Sequence, residues 1–159
     1  MPDTAFEVAR ATAADVAAIA PLFDAYRQFY QRAADLAGAH RFLADRIANN
    51  ESVIFFCRVT GDRTQPVAFT QLYPIFSSLS MASSWVLNDL FVAPEFRNHG
   101  IARLLLSAAD EHARGSGAIG IALETSRDNL AAQALYESFG YEVADDTKHY
   151  WRSTSGEPG

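Results

Sequence analysis

The residues best suited to chemistry follow an apolar, β-rich run at 85–92, where a short polar segment leads into an amphipathic one. Between these segments stands Gly100, and glycine lets a backbone adopt left-handed turns and approach a ligand closely. The first amides of a helix have no partner within that helix and carry partial positive charge. We therefore expect a site for a phosphate-bearing cofactor here, with Arg97, His99 and the amides of 98–102 facing the anion.

The loop contains neither a P-loop nor a dinucleotide-binding fingerprint. Its residues are Arg97, Asn98, His99, Gly100, Ile101 and Ala102. This Arg-x-x-Gly-x-Ala pattern resembles the pyrophosphate-binding loop of the GCN5-related N-acetyltransferases (GNAT), which hold acetyl-coenzyme A (acetyl-CoA). The alternative is that Gly100 only marks an ordinary turn between a strand and a helix.

A second motif lies downstream, in the order that the same family requires. It reads Asn129-x-x-Ala132-x-x-Leu135-Tyr136-x-x-x-Gly140-Tyr141. Asn129 and Tyr136 are seven residues apart, about 700° of helical rotation, so they project from nearly the same line. Asn129 could bind the pantetheine arm or only cap its helix, and Tyr136 could be a functional phenol or only a core aromatic. With both motifs, the chain is identified as a member of the GNAT family.

The resemblance implies an α/β, single-domain GNAT fold. The expected sheet is mixed and mostly antiparallel, with six to seven strands and about four flanking helices, and two parallel strands, 85–92 and 119–124, splay apart at its centre. The backbone of Leu90, Phe91 and Val92 would then hydrogen-bond pantetheine and polarise the thioester carbonyl. Tyr136 would protonate or hydrogen-bond the departing thiolate. The family also implies a homodimer.

The base that accepts the amine proton is a separate question. Polyamine acetyltransferases of this family carry Glu-Asp in the corresponding strand, whereas this chain has Asn88 and Asp89. Since an asparagine cannot serve as a base, Asp89 is the leading candidate and Glu124 the second. The alternative is that Asp89 is a buried structural carboxylate.

An acceptor pocket is expected where aromatic residues cluster, because aromatic rings attract ammonium groups by about 0.5–2 kcal/mol each. Tyr26, Tyr30 and Tyr73 could receive a primary amine together with Asp89. Alternatively, Tyr26, Phe29 and Tyr30, with their i, i+3, i+4 spacing, form a core face or a dimer contact, which is the reading we favour for Phe29.

The resulting prediction is an N-acetyltransferase that moves the acetyl group of acetyl-CoA to a primary amine of a small, polyamine-like acceptor. The amine attacks directly in a ternary complex, because Cys57 lies in a strand-like run typical of a buried thiol. The alternatives are a non-catalytic acyl-CoA-binding module, or acetylation of amino acids, aminoglycosides or protein amines.

Composition limits the other classes. The chain has 159 residues, a formal net charge of −6 and one cysteine, which disfavours nucleic acid as a partner and fits a reducing cytoplasm. There is no 18-residue apolar run and no signal-like N-terminus, so we expect a soluble cytoplasmic protein without membrane contact. The four histidines lack metal-ligand spacing, and no metal is expected. We expect an acetyltransferase domain at 1–152 and a mobile tail at 153–159.

Periodicity and turn signals predict the elements in order. The expected strands lie near 6–10, 53–59, 67–73, 84–92, 119–124, 141–144 and 149–152, and the expected helices near 12–30, 40–48, 101–114 and 129–139.

Overall fold

The computed structural model describes residues 5–156, which fall into two compact units, Met1–Glu124 and Thr125–Gly159. The first unit contains a five-stranded sheet in the order β1 to β5, with β1–β4 antiparallel and β5 parallel to β4. Its strands are β1 (Phe6–Arg10), β2 (Val53–Val59), β3 (Pro66–Ser77), β4 (Ala82–Val92) and β5 (Ile121–Ala122), and its helices are α1 (Val16–Phe29), α2 (Leu36–Ala48) and α3 (Ile101–Gly115). The second unit contains α4 (Leu130–Ser138).

The starts of the first two helices follow from capping residues. Before α1, Thr12 and Asp15 form a capping box, in which Asp15 accepts a hydrogen bond from the Thr12 amide at 2.8 Å. Helix α2 begins earlier than the predicted residue 40, because Asp35 caps it by accepting from the Gly38 amide at 2.9 Å. Such a cap satisfies an amide that has no partner within the helix.

Helices cover both faces of the sheet. Helices α1 and α2 pack on one face through a core that includes Ile19, Leu43 and Phe69. Helix α3 packs on the other face, where Ile101 and Leu105 contact the second core. Because side chains alternate along a strand, each of β1–β4 supplies residues to both cores.

The α/β class and the mixed, mostly antiparallel sheet are confirmed, but the described residues form five strands rather than six or seven. The ranges 141–144 and 149–152 contain no strand. Alternating side chains suggested them, but a strand also needs a ladder partner, which alternation cannot supply.

Strand β5 is shorter than the predicted 119–124. The Ile119 amide donates to Ser83 and the Trp85 amide to Gly120, and pairing ends at Val86 and Ala122. The domain limits and the mobility of residues 153–159 stay predictions, and the last three residues lie outside the described range.

In residues 5–156, no helix combines the length and the apolar character that a membrane span requires.

Candidate active site

A β-bulge in β4 determines which side chains reach the first helix. Leu87 pairs with Leu72 and Asp89 pairs with Gln71, so Asn88 is an extra residue without a partner in β3. In a regular strand, Leu87 and Asp89 would share a face, because side chains two apart do so, but the extra residue of the bulge breaks this alternation. The bulge therefore turns Asp89 toward α1, while Leu87 remains on the α3 side.

Just before the bulge, β4 separates from β5. The two strands pair only at Trp85–Ile121 and Val86–Ala122. Beyond this point, the edge of β4 facing away from β3 has no strand neighbour among the described residues. Its Val92 carbonyl accepts a hydrogen bond from Nε of Arg97 at 3.1 Å. This is the divergence of parallel strands that the GNAT resemblance predicts.

The loop after β4 has the backbone that its glycine allows. Gly100 precedes α3 with φ 75° and ψ 12°, and Asn98 also has a positive φ of 63°. An added Cβ at Gly100 would meet no atom within 4 Å, so the space beside this backbone is open. The first amides of α3, those of Ile101 and Ala102, cannot bond within the helix. The loop thus offers an anion both an open backbone and a helix N-terminus.

The imidazole of His99 is held by its own loop, and its predicted role of facing an anion stays a prediction. Its Nδ1 lies 2.8 Å from the Arg97 carbonyl and 3.1 Å from the Phe96 carbonyl, and its ring packs edge-on against Phe6. Since a carbonyl only accepts, Nδ1 carries the hydrogen, and in the neutral ring Nε2 is an acceptor. These contacts fix the ring of His99 within the loop.

The guanidinium of Arg97 rests on two aromatic rings. Its central carbon lies 5.6 Å from the centroid of Phe29 and 5.7 Å from that of Phe91. Phe29 is 56% exposed, which corrects the expectation that it belongs to the core face of α1. Instead, Phe29 lies between the arginine and the aromatic residues at the end of α1.

Asp89 is a buried carboxylate with several donors around it. It is 5% exposed and accepts hydrogen bonds from Gln71 Nε2 at 2.8 Å and Asn88 Nδ2 at 3.0 Å. The Tyr26 hydroxyl also hydrogen-bonds to it. Burial raises the pKa of Asp89 above its ordinary value, and the three donors oppose this shift only in part.

Two of the tyrosines named from the sequence, Tyr26 and Tyr73, lie near this carboxylate, and Tyr30 packs against Tyr26. The rings of Tyr26 and Tyr30 lie 5.1 Å apart, centroid to centroid. Burial and then the negative charge of Asp89 raise the pKa of Tyr26, and the same two causes raise that of Tyr73. The structure therefore brings Tyr26, Tyr30, Tyr73 and Asp89 together on the α1 face of the sheet.

The remaining predicted site residues are Glu124, Asn129 and Tyr136, which follow the tyrosine group and Asp89 in the sequence. Glu124 is exposed, two residues beyond the end of β5. In the second unit, Asn129 caps α4, its Oδ1 accepting from the Ala132 amide at 3.1 Å, which leaves the amide Nδ2 outside the cap. Tyr136 is half-buried, with its ring 6.0 Å from that of Tyr141. The roles proposed for Glu124, Asn129 and Tyr136 stay predictions.

Sequence reasoning missed Gln71. It is fully buried, pairs with Asp89 across the ladder and holds that carboxylate, while its own Oε1 has no hydrogen bond within the described structure. A polar residue in the otherwise apolar run of β3 was the available signal, because buried polar side chains need partners.

Two further observations bear on the chemistry. Cys57 is buried, and burial raises the pKa of its thiol to about 11, so it stays a protonated thiol at neutral pH. Among residues 5–156, no group of three His, Cys, Asp or Glu side chains is placed to hold a metal ion.

Comparison with known proteins gives consistent matches. A sequence model of the acetyltransferase (GNAT) family matches residues 19–141. YhfO of Bacillus subtilis (strain 168), described as an uncharacterized N-acetyltransferase, is 47% identical over 143 residues, which are 90% of this chain and 94% of that protein. The crystal structure of a probable acetyltransferase has a TM-score of 0.88 and 37% identity, covering 95% of this chain and 99% of that one. An aminoglycoside N-acetyltransferase solved in complex with CoA shares the fold, with a TM-score of 0.78 at 16% identity, covering 97% and 99% of the two chains.

Proposed function

The chain belongs to the GNAT family of acetyltransferases and catalyses acetyl-CoA-dependent N-acetylation, and we propose that its acceptor is a primary amine of a small, polyamine-like molecule. The observation that carries this proposal is the group of Tyr26, Tyr30 and Tyr73 around the buried Asp89. Aromatic faces and a carboxylate together suit an ammonium group. The net charge of −6 adds a field that attracts cations.

The loop before α3 supports a role in holding the pyrophosphate of acetyl-CoA. Arg97 supplies positive charge, Gly100 supplies an open left-handed turn, and the amides of 98–102, at the start of α3, would donate to the phosphates. The backbone of Leu90, Phe91 and Val92, along the free edge of β4, would bind the pantetheine arm. Asn129 would bind the same arm through Nδ2, the group that its cap leaves available.

Asp89 is proposed to take the proton of the incoming ammonium, directly or through water. A base works best when its pKa lies near the working pH, and burial moves the pKa of Asp89 upward in that direction. Tyr26 and Gln71 hold the carboxylate by hydrogen bonds. Glu124 is the second candidate for this proton transfer.

The neutral amine then attacks the acetyl carbon directly. The new C–N bond forms, the C–S bond breaks, and its electron pair leaves with sulfur. A β4 amide stabilises the charge that develops on the carbonyl oxygen. By its place in the family motif, Tyr136 gives the thiolate a proton, and the second amine proton restores the phenol through solvent. The protonated thiol of Cys57 supports this route over an acetyl-cysteine intermediate.

The test is free-thiol release with acetyl-CoA and a panel of spermidine, an aminoglycoside, free amino acids and a peptide with a free N-terminus. We expect spermidine to give the highest kcat/KM, with intersecting lines in two-substrate initial-rate plots. A parallel pattern with trapped acetyl-protein would contradict direct attack. Higher kcat/KM for another acceptor would reassign the substrate class.

Matched variants connect the acceptor to the tyrosine group. Tyr30→Ala removes a ring of this group, and Phe76→Ala removes an exposed ring, 82% accessible, on the β3–β4 hairpin. Tyr30→Ala should raise the acceptor KM about 2- to 30-fold, the range of one cation–π contact, whereas Phe76→Ala should leave it unchanged. Equal effects of the two variants would remove Tyr30 from the acceptor site.

A homodimer and a cytoplasmic location are part of the same proposal and rest on the family resemblance and the composition. Size-exclusion chromatography with light scattering would measure the dimer directly.

A further inference from the structure

A cavity lies on the α3 side of the sheet. Its volume is about 350 Å3, within the range of about 300–1,000 Å3 that small-molecule sites occupy. Val8, Arg10, Phe55, Ala108, Glu111 and His112 line it. Its helical residues follow Ile101 by seven to eleven positions, about 10–17 Å along the axis of α3. This distance separates the cavity from the glycine loop. The sheet separates it from the tyrosine group, because Asp89 faces α1 on the other side.

Two opposite charges face this cavity from different walls. Arg10 ends β1, and Glu111 lies on α3. Neither side chain forms an ion pair or hydrogen bond with any described residue. Burial and then the positive charge of Arg10 lower the pKa of His112, and both side chains line the same cavity. The cavity therefore presents one cation and one anion that have no ion-pair partner among residues 5–156.

The remaining wall is apolar and aromatic. The His112 ring packs against Phe55 at 5.6 Å and Trp85 at 5.1 Å, centroid to centroid. Its Nε2 is buried without a hydrogen bond among residues 5–156. A buried polar atom without a partner is unfavourable.

We propose that this cavity binds a small zwitterion with an apolar body, of the α-amino acid class. The carboxylate would pair with Arg10, the ammonium with Glu111, and the apolar side chain would lie on Val8, Phe55 and Ala108. A ligand with only one charge would leave either Arg10 or Glu111 without an ionic partner in the cavity. This site is independent of the proposed acceptor, since none of its residues belongs to that group.

The experiment is an NMR titration of the ¹⁵N-labelled protein with L-leucine, without acetyl-CoA so that no turnover occurs. N-acetyl-leucine removes the ligand's positive charge, and leucinamide removes its negative charge. We expect saturable shifts at the amides of Val8, Ala108 and His112. Each analogue should bind about tenfold more weakly or worse, because it loses one charged hydrogen bond.

Variants locate the two charges. Arg10→Gln and Glu111→Gln should each weaken leucine binding about tenfold or more. Asp110→Asn is the matched control, since Asp110 precedes Glu111 but bonds to Arg114 at 2.8 Å, and it should bind leucine like the wild type. Three results would overturn the proposal: no saturable shift up to the solubility of leucine, binding of either analogue as tight as that of leucine, or shifts centred on Tyr26 and Tyr73.

Discussion

Gly100→Ala tests the glycine loop through backbone strain alone. The residue has φ 75° and ψ 12°, and the left-handed conformation costs an L-residue about 1–2 kcal/mol. No atom lies within 4 Å of the added Cβ, so no steric clash contributes. If the loop keeps its shape, the free energy of unfolding should fall by that amount, which lowers Tm by about 2–8 °C in a chain of this size.

If the loop instead relaxes away from the left-handed turn, the same free energy should appear in cofactor binding. A penalty of 1–2 kcal/mol corresponds to a factor of about 5–30 in Kd. We expect part of this loss because the Cβ would project into the open space proposed for acetyl-CoA. Scanning calorimetry measures the stability, and titration calorimetry with CoA measures the Kd.

Gly61→Ala is the matched control. Gly61 has φ 89° and no atom within 4 Å of an added Cβ, but it lies in the turn between β2 and β3. It should lose similar stability and keep wild-type affinity for CoA. The reasoning is refuted if Gly100→Ala loses stability yet binds CoA like the wild type, or if Gly61→Ala weakens CoA binding equally.

Three further predictions concern the carboxylate and the second motif. Tyr136→Phe should lower kcat about ten- to a thousandfold, near the range of general acids, whereas Tyr141→Phe should not; steady-state kinetics decides. Asn129→Ala should cost about 0.5–2 kcal/mol of stability by loss of the cap, while Asn129→Asp keeps the cap but should still raise the KM for acetyl-CoA, and a wild-type KM would make Asn129 only a cap. Burial raises the pKa of Asp89 in the folded protein above its ordinary value of 3.8. Ionisation of Asp89 therefore destabilises the fold as the pH rises through the window between the ordinary pKa and the raised one. Asp89→Asn should therefore gain Tm relative to the wild type above the window but not below it, and should lose the acid limb of the pH–rate profile; an unfolded variant would instead indicate a structural carboxylate.

The glycine loop was predictable because its signals are local. Strand, glycine and helix are neighbours in the chain, and the left-handed turn at Gly100 follows from residue type. The hydrogen bonds of His99 to its own loop were not predictable, because the sequence does not say which way an imidazole turns. The grouping of Tyr26 and Tyr73 with Asp89 was anticipated from composition, but the contact itself joins three distant segments.

Helix α3 shows how periodicity can select the wrong residues of a correct helix. Helical spacing from Ile101 predicts a core stripe that includes Leu104 and Leu105, but Leu104 is 40% exposed while Leu106 is fully buried. Three consecutive leucines fit several stripes equally well. The packing of α3 against the sheet, which no local pattern contains, selects among them.

The bulge in β4 was also hidden from the sequence. Trp85, Leu87, Asp89 and Phe91 read as one continuous alternation, yet the pairing of Leu87 with Leu72 and of Asp89 with Gln71 places the halves on opposite faces. A bulge is visible only in the register of a ladder.

Because Asn88 is the residue in excess, β4 has one position at which its length can change without moving the side chains downstream. Deleting Asn88 would still leave Asp89 opposite Gln71, and Phe91 opposite Phe69, as in the present register. Deleting Leu90 would instead exchange the faces of Phe91 and Val92. Insertions or deletions in this strand should therefore be tolerated only at position 88. At any other position, a change in length would move the following side chains to the opposite face of the sheet.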